Sequence, residues 1–383
     1  MKKINVIIFG ATGSIGNSVI SIISKNTNYI NLEGITCNSK IYKLYKIAKS
    51  FNVKKIGFNE KSIRKKINLN LKQFSVYNET SNFYNIVSHK TDIIIFAISG
   101  LPSLELFIKV LKSGKKVGIA NKECIITLGH SVNHLAKKYK TQIIPLDSEH
   151  NSIYHLLRND FSKYKSITIT ATGGPFLKYN MNKMKDVTLK QALKHPIWKM
   201  GKKISIDSAT MMNKALELIE AKFLFNIKDN QINAIIHPQA IIHAIINYEN
   251  GISTALLNRP DMRIPISTLF FNFDHKLNFN TKIDLTNYSN LEFMQIDSKK
   301  FPAVNLCYQV MKIGGVAPHV FNYLNERLVN LFIKNKIKFG DIVKFNEINL
   351  DIFFAKNSNI KYPKSIDIKN INNWIDNNIY IGN

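Results

Sequence analysis

With 383 residues, the chain is long enough for two or three domains around a sizeable hydrophobic core. Its three cysteines, Cys37, Cys124 and Cys307, are far apart and odd in number, which argues against a disulfide or zinc framework and for a reducing compartment. The formal charge is +27, but the lysines are spread along the chain instead of forming one basic arm, so we expect no nucleic-acid partner.

The apolar runs of the sequence are too short to cross a bilayer, so we expect no membrane partner. The first predicted strand begins at Ile4, which leaves no room for a signal or transit peptide. We therefore expect a cytoplasmic protein. Its positive field would still attract small anionic substrates.

The first strand, turn and helix have the pattern of a dinucleotide site. Ile4 to Phe9 is an apolar run of strand length, and the glycine-rich segment Gly10 to Gly16 leads from it into a helical pattern. Glycine lets the backbone approach a pyrophosphate, and the amides at a helix start face its charge. The spacing is G-x-x-G-x-x-G, and a tight βα turn without a ligand is the alternative.

The end of the next predicted strand, residues 32–36, indicates which dinucleotide is bound. An acidic residue there would bind the ribose 2′-hydroxyl of NAD. The chain instead has Asn38, Ser39 and Lys40, whose polar groups and positive charge suit a 2′-phosphate. We therefore expect NADP.

Further strand-like runs alternate with helical patterns, which predicts a parallel, doubly wound sheet. These runs are residues 55–58, 92–98, 116–120 and 142–146.

Two of these strands end in polar segments, Asn121-Lys122-Glu123 and Asp147-Ser148-Glu149. Open α/β sheets bind ligands beyond the carboxyl ends of their strands, so these side chains are candidates for a site. For Asp147 and Glu149 the alternative is a helix N-cap with an acidic first turn.

The second half of the chain predicts another sheet and then helices. A strand at 166–171 leads into the turn Thr172-Gly173-Gly174-Pro175-Phe176, which could expose backbone amides to an anion or be a plain glycine-proline turn. Further strands are expected at 232–236, 241–248 and 253–257, the last two as an antiparallel hairpin. Helical spacing begins at Ala303.

The stretch from His195 to Ala221 combines a loop, a β-branched segment at 204–206 and a helix that we expect to begin around Asp207-Ser208-Ala209-Thr210. Asn213 and Glu217, four residues apart, would share a helix face. Such a helix start, with Lys214 beside it, suits a phosphate, and an ordinary capped amphipathic helix is the alternative.

Three acids, Asp147, Glu149 and Glu217, offer hard oxygen ligands without a cysteine or a histidine pair. An assembled site of this kind would prefer Mg²⁺ or Mn²⁺ to zinc. Such an ion can polarise a carbonyl, and beside a nicotinamide this chemistry is that of a reductase for a hydroxy-ketone or aldehyde.

A series of motifs resembles the 1-deoxy-D-xylulose 5-phosphate reductoisomerase family, in the family's order over roughly the first two thirds of the chain. The motifs are GATGSIG at 10–16, ANKE at 120–123, LDSEHN at 146–151, GGPF at 173–176, HPIWKMGKKISIDSATMMNKALE at 195–217, HPQAIIH at 237–243 and RPDMRIPI at 259–266.

The resemblance implies an enzyme that uses NADPH and a divalent metal to convert 1-deoxy-D-xylulose 5-phosphate to 2-C-methyl-D-erythritol 4-phosphate in non-mevalonate isoprenoid biosynthesis. The carbon skeleton would rearrange, and NADPH would reduce the resulting aldehyde. It also implies a homodimer of α/β chains. We expect a Rossmann-type NADP-binding domain at 1–147, a central α+β catalytic domain with a lid loop at 148–277, a linker at 278–302 and a small helical domain at 303–383.

The resemblance also implies roles for individual residues. The metal ligands would be Asp147, Glu149 and Glu217; the residues that contact the substrate oxygens would be Lys122 and Ser148; and those that hold its phosphate would be Thr172, Ser208, Asn213 and Lys214. His195, Trp198 and Met200 would belong to the lid. The cofactor-binding set would be Gly10, Thr12, Gly13, Ser14, Ile15, Asn38, Ser39, Lys40, Asn121, Glu123 and Gly201, with Met262 near the nicotinamide or substrate.

Some positions depart from the family's usual pattern. Thr172 stands where serine is common, Ile197 replaces a frequent asparagine of the lid, and Ala215 replaces a common glycine. The segment Asn322-Tyr323-Leu324-Asn325-Glu326 matches the family's NAANE motif only in part, which puts the packing of the helical domain in question.

Two other functions are compatible with parts of the sequence. One is a related NADP-dependent oxidoreductase that acts on another phosphorylated substrate without rearrangement. The other is a basic nucleotide- or RNA-binding protein that has kept a Rossmann domain without catalysis. The metal and phosphate motifs argue against the first, and the intact acids and lid argue against the second.

Overall fold

The alternating strands and helices of the first part of the chain form a seven-stranded sheet. Its strands are β1 (Ile4–Phe9), β2 (Ile30–Cys37), β3 (Lys55–Phe58), β4 (Ser75–Tyr77), β5 (Ile93–Phe96), β6 (Lys116–Ile119) and β7 (Gln142–Pro145). The order is β4-β3-β2-β1-β5-β6-β7, and every neighbouring pair is parallel. The predicted doubly wound parallel sheet is confirmed, with a switch point between β1 and β5.

The computed structural model describes residues 2–63, 68–158, 164–198, 200–271 and 282–382. These residues form two compact units that are interleaved in sequence. The first comprises Met1–Cys124, Val132–Tyr154 and Asp261–Lys282, and the second comprises Ile125–Ser131, His155–Pro260 and Ile283–Asn383. The consecutive domain boundaries expected from the sequence stay a prediction, and residues 278–281 of the expected linker lie outside the described ranges.

The α-helices of the described chain are α1 (Ser14–Ser24), α2 (Ile41–Ser50), α3 (Leu104–Leu111), α4 (Lys122–Leu128), α5 (Ser131–Lys138), α6 (Ser148–Leu157), α7 (Met181–Lys185), α8 (Leu189–Ala192), α9 (Lys202–Ala209), α10 (Met212–Phe225), α11 (Arg263–Phe271), α12 (Pro302–Ile313), α13 (Ala317–Ile333), α14 (Asp341–Lys356) and α15 (Ser365–Asn378). Within the described ranges, none of them combines the length and apolar character needed to cross a bilayer.

The first unit is built on a sheet whose central strands are fully buried. Val6 and Ile8 of β1 have no exposed surface, as expected for a parallel sheet that is covered by helices on both faces. Val19 of α1 packs into the same core. So do Ile266 and Leu269 of α11, although they lie more than a hundred residues later in the chain than β7.

The second unit contains a four-stranded mixed sheet. Its strands are β8 (Tyr164–Ala171), β9 (Ile232–Ile236), β10 (Ile242–Tyr248) and β11 (Ser253–Leu257), in the order β11-β10-β8-β9. The predicted antiparallel hairpin of β10 and β11 is confirmed, whereas β8 and β9 run parallel. Ile236 also forms an antiparallel bridge with Met294, so the region predicted to be irregular contributes to this sheet.

The C-terminal region consists of α12 to α15, as predicted for a helical domain. The sequence did not predict α15, because its exposed face is rich in asparagine, a poor helix former. Packing supplies the missing stability: Ile368 and Ile375 are buried, and the Trp374 ring stands edge-on to Phe353 at 5.2 Å.

The expected β-branched segment at 204–206 and the helix start near Asp207 are wrong. Both lie inside α9, and α10 begins only at Met212. Ile206 is fully buried, so tertiary packing outweighs its strand propensity. Thr210 ends α9, and its hydroxyl donates to the Ile206 carbonyl at 3.1 Å. Met211, at φ 60° in the left-handed region, separates the two helices.

Candidate active site

The glycine-rich loop after β1 has the backbone geometry of a pyrophosphate site. Gly10 has φ 95°, and a Cβ there would lie 2.4 Å from the Ala97 carbonyl oxygen, so only glycine fits. Gly13 occupies the N-cap of α1 and brings no side chain to bond the first helical amides. The backbone amides of Ser14 and Ile15, in the first turn of α1, are therefore available to bind an anion.

The segment Asn38-Ser39-Lys40 directly follows β2, and all three residues are exposed. Because β2 and β1 are parallel neighbours, this segment lies at the same edge of the sheet as the glycine loop. None of the three side chains is acidic, so none would repel a phosphate, and the Lys40 ammonium would attract one.

Asn121 is fully buried, and its side chain fixes neighbouring backbone. Its Nδ2 donates to the carbonyls of Ile98 at 2.6 Å and Gly100 at 3.1 Å and lies 3.2 Å from Ser103 Oγ. Its Oδ1 accepts from the Cys124 amide at 2.7 Å. This shaping of the loop after β5 was not foreseen from the sequence, and the cofactor contacts of Asn121 and of its neighbour Glu123 stay a prediction.

Asp147 and Glu149, which follow β7, lie close in sequence, and Lys122, the first residue of α4, contacts the first of them. Ser148 Oγ donates to Glu149 Oε2 at 2.6 Å, and the Lys122 ammonium lies 3.9 Å from Asp147 Oδ2. Asp147 Oδ1 also accepts from the Glu149 amide at 3.2 Å, so the capping alternative describes part of its role. His150 Nδ1, 3.0 Å from the same oxygen, orients it. Sequence reasoning missed His150, although its place one turn after Asp147 was a usable signal.

The third acid, Glu217, lies inside α10 with its side chain only 2% exposed. Asn213 donates an amide hydrogen bond to this carboxylate, and the Lys214 ammonium forms an ion pair with it. Residues three and four apart share a helix face, so the three groups form one cluster. The buried negative charge is thereby compensated within one turn.

Thr172 and His195 form a hydrogen-bonded pair in the second unit. His195 Nδ1 accepts from the amides of Ile197 at 3.1 Å and Trp198 at 2.9 Å, so the ring proton must be on Nε2. Nε2 therefore donates to Thr172 Oγ1, 3.1 Å away. Burial lowers the pKa of His195 to about 4, which keeps the ring neutral near pH 7.

The Thr172 hydroxyl is left as a donor. Its oxygen accepts from His195 and also from the Gly174 amide at 3.2 Å. Its own proton is then directed to another acceptor, which suits an anion such as a phosphate.

The turn that holds Thr172 packs on the end of α9. Gly174 has φ 67°, and a Cβ there would lie 2.8 Å from the Ser208 carbonyl oxygen. Glycine is therefore required both by the left-handed backbone and by this close approach. The contact brings the turn next to Ser208, which lies in the last turn of α9.

The remaining predicted residues have these places. Gly201 is the exposed N-cap of α9, and none of the described residues other than its chain neighbours has an atom within 4 Å of where its Cβ would be. Met262 precedes α11 and packs against the core of the first unit. Thus each unit gathers its own part of the predicted residues: Lys122, Asp147, Ser148 and Glu149 in the first, and Thr172, His195, Trp198, Asn213, Lys214 and Glu217 in the second.

Three family models match the chain in succession. Residues 6–129 match 1-deoxy-D-xylulose 5-phosphate reductoisomerase, residues 143–225 match its C-terminal domain, and residues 257–377 match a further DXP reductoisomerase C-terminal domain.

Full-length relatives carry the same name. The chain is 39% identical to 1-deoxy-D-xylulose 5-phosphate reductoisomerase of Pelagibacter ubique, with 98% of each chain covered. It is 39% identical to the enzyme of Wolbachia pipientis subsp. Culex pipiens, with 92% of this chain and 91% of the other covered.

Solved structures have the same fold. A DOX-P reductoisomerase in complex with NADPH, fosmidomycin and magnesium aligns with a TM-score of 0.88 at 30% identity, covering 98% of this chain and 97% of the other. The Zymomonas mobilis enzyme in complex with NADPH aligns with a TM-score of 0.86 at 32% identity, covering 97% of each.

Proposed function

The chain belongs to the 1-deoxy-D-xylulose 5-phosphate reductoisomerase family, and we propose that the residues described above carry out that family's reaction. The enzyme uses NADPH and a divalent metal ion to convert 1-deoxy-D-xylulose 5-phosphate to 2-C-methyl-D-erythritol 4-phosphate. The observation that carries this function is the match at 39% identity over 98% of the chain, together with structural neighbours that hold NADPH and magnesium.

We assign the metal ligands to Asp147, Glu149 and Glu217. The donor set fits a hard divalent ion, because it consists of carboxylate oxygens without sulfur. When bound, Mg²⁺ or Mn²⁺ supplies a Lewis acid for the substrate's carbonyl and hydroxyl oxygens. Lys122, whose ammonium lies 3.9 Å from Asp147, and Ser148 orient those oxygens by charge and hydrogen bonding.

The substrate phosphate is assigned to Thr172, Ser208, Asn213 and Lys214. Support comes from the Thr172 hydroxyl, which is left as a donor, and from the buried Lys214 ammonium. At the start of α10 the Met212 amide already donates to the Thr210 hydroxyl at 3.3 Å, so we assign the predicted helix-start contribution to the backbone amides that follow Met212.

His195, Trp198 and Met200 form the lid that covers the substrate and excludes water. The backbone amides of Ile197 and Trp198 donate hydrogen bonds to the His195 ring, and the same ring donates a hydrogen bond to Thr172. Closure of the lid is thereby coupled to the phosphate contact.

NADPH, which supplies the hydride for the reduction, is assigned mainly to residues of the first unit. Its pyrophosphate lies against Gly10, Thr12, Gly13, Ser14 and Ile15. The fit rests on the α1 start, which no side chain caps. Asn38, Ser39 and Lys40 would hold its 2′-phosphate, and Asn121 and Glu123 its nicotinamide half. Gly201 completes the proposed cofactor-binding set, and Met262 would lie near the nicotinamide or the substrate.

The enzyme is proposed to be a homodimer in the cytoplasm. β11 is an edge strand, and no other described strand pairs with its outer side. Ile252, just before it, is 58% exposed. Such an edge suits pairing with a second copy. Light scattering should give about twice the 43.8 kDa chain mass, and a 43.8 kDa species at micromolar concentration would contradict the dimer.

The proposed location in the cytoplasm is supported by the cysteines. All three are free thiols, as expected in a reducing compartment, and cell fractionation tests this location.

The assay for the reaction mixes purified protein, 1-deoxy-D-xylulose 5-phosphate and NADPH, with and without Mn²⁺. We expect metal-dependent loss of NADPH absorbance and formation of 2-C-methyl-D-erythritol 4-phosphate. NADPH oxidation with an unrearranged product would favour the related dehydrogenase, and no oxidation at all would contradict the proposal.

A further inference from the structure

Asp207, next to the proposed phosphate ligand Ser208, has a carboxylate that is almost completely buried. Only 1% of the residue is exposed. Lys203 forms an ion pair with its Oδ2 at 2.8 Å, and Asn325 donates a hydrogen bond to its Oδ1 at 2.8 Å. A carboxylate taken out of water needs such partners, so both contacts constrain the side chain strongly.

The two partners have different effects on α9. Lys203 is four residues before Asp207 on the same helix, so their ion pair does not attach α9 to anything else. Asn325 belongs to α13, is fully buried and lies 118 residues away. Its bond to Asp207 therefore ties the last turn of α9 to the C-terminal helices.

The last turn of α9 is held from a second direction by the turn that carries Thr172. Gly174 approaches the Ser208 carbonyl so closely that no Cβ fits between them. Ser208 thus lies between this turn and the anchor formed by Asp207 and Asn325. A change in the anchor would move the Ser208 hydroxyl relative to that of Thr172.

We propose that Asn325 is a positioning residue for binding of the substrate phosphate, acting through Asp207 on Ser208. This rests on the proposed function, because it takes Ser208 as a phosphate ligand. Asn325 itself does not touch the substrate. Its contribution is to hold one hydroxyl of the phosphate site at a fixed distance from the others.

The partial match of 322–326 to the family motif agrees with this role. The bulkier residues point to other partners: the Tyr323 hydroxyl donates to Asp376 at 2.9 Å, and Leu324 is buried in the helical core. The asparagine that bonds Asp207 is kept. The helical domain therefore accommodates the departures without losing the contact to α9.

The test compares Asn325→Ala with a matched control, Asn346→Ala. Asn346 is also fully buried in the helical region, but its Nδ2 donates to the Phe321 carbonyl at 3.0 Å instead of to α9. We expect Asn325→Ala to raise KM for 1-deoxy-D-xylulose 5-phosphate about tenfold or more, with kcat less affected and the Kd for NADPH unchanged. Asn346→Ala should lower the melting temperature similarly and leave KM unchanged.

A second variant separates positioning from general destabilisation. Asn325→Asp places two carboxylates together and should raise KM further, whereas the double variant Asp207→Asn with Asn325→Asp restores one amide–carboxylate pair and should recover part of the loss. If Asn325→Ala does not fold, the comparison of Asn325→Asp with the double variant still tests the proposal. An equal rise of KM in Asn325→Ala and Asn346→Ala, or no rise in any Asn325 variant, would overturn the proposal. Lack of turnover by the unmodified enzyme would instead refute the proposed function.

Discussion

His195 Nε2 donates to Thr172 Oγ1 over 3.1 Å while His195 Nδ1 accepts from the amides of Ile197 and Trp198, so one neutral ring links the backbone of the proposed lid to a hydroxyl of the proposed phosphate site. This link connects residues 23 positions apart in the sequence. It also fixes the direction in which the Thr172 hydroxyl can donate.

Removing the Thr172 hydroxyl should weaken substrate binding. A hydrogen bond to a charged group contributes about 1.5–3 kcal/mol, so Thr172→Val should raise KM for the substrate about tenfold or more. Thr172→Ser, which keeps the hydroxyl, should stay close to the unmodified enzyme. Thr168→Val, on the same β8 strand, is the control and should leave KM unchanged; steady-state kinetics with saturating NADPH distinguishes these outcomes.

Removing the charge of Glu217 should affect turnover and spare cofactor binding. If Glu217 is a metal ligand, Glu217→Gln loses several kcal/mol of transition-state stabilisation, which is a fall in kcat of at least about a hundredfold. NADPH affinity, measured by fluorescence titration, should be nearly unchanged.

The control for Glu217 is Glu220→Gln, one turn later on α10 and equally buried. It should lose stability without a comparable loss of kcat. Binding of Mn²⁺, followed by electron paramagnetic resonance, should weaken only in Glu217→Gln. Parallel losses of turnover and NADPH affinity would show that Glu217 is structural.

The proposed lid can be followed through Trp198, because Trp198 and Trp374 are the only two tryptophans in the chain. Trp374→Phe leaves Trp198 as the sole tryptophan, and its fluorescence should change when 1-deoxy-D-xylulose 5-phosphate is added to the protein. Trp198→Ala should mainly weaken substrate binding and turnover. An unaltered spectrum together with unaltered kinetics would count against the lid assignment.

Acid should destabilise the helical region through His319. Burial lowers the pKa of this ring to about 4 from its ordinary value of 6.5, and Thr127 and Asn372 occupy its two nitrogens. Between these pH values the unfolded chain binds a proton that the folded chain does not. Stability is therefore full above pH 6.5 and falls as the pH drops to about 4, by on the order of 3 kcal/mol from this residue.

Urea unfolding between pH 7 and pH 4.5 measures this effect. His319→Gln should make the free energy of unfolding less dependent on pH in that window. His134→Gln, at an exposed position of α5, should not. Equal pH dependence in the unmodified protein and His319→Gln would refute the assignment to His319.

The sequence predicted the buried strands well, because a mostly apolar run such as Ile4–Phe9 is stable in few places of a fold other than its core. It missed β4 (Ser75–Tyr77), a three-residue edge strand too short to show a pattern. It also misjudged α9, because the burial of Ile206 depends on neighbours from distant parts of the chain. Local propensity carries no information about those neighbours.

The same limit applies to the site. Asn213 and Glu217 could be placed on one face from their spacing alone, and the structure joins them. The ion pair of Lys214 with the same carboxylate was added by the structure. The bond between Asp207 and Asn325 spans 118 positions and leaves no periodic signal in a single sequence. The tautomer of His195 depends on the positions of two backbone amides, which no residue pattern records.

The burial of Ile266 and Leu269 in the core beneath β1 has a consequence for synthesis on the ribosome. Domains generally fold as units while the chain emerges from its N-terminus. The core of the first unit is complete only when α11, whose last residue is Phe271, has been made, although all seven strands of its sheet have been made by Pro145. A nascent chain of intermediate length therefore carries a sheet with part of its apolar face uncovered, and chaperones have that interval in which to bind it.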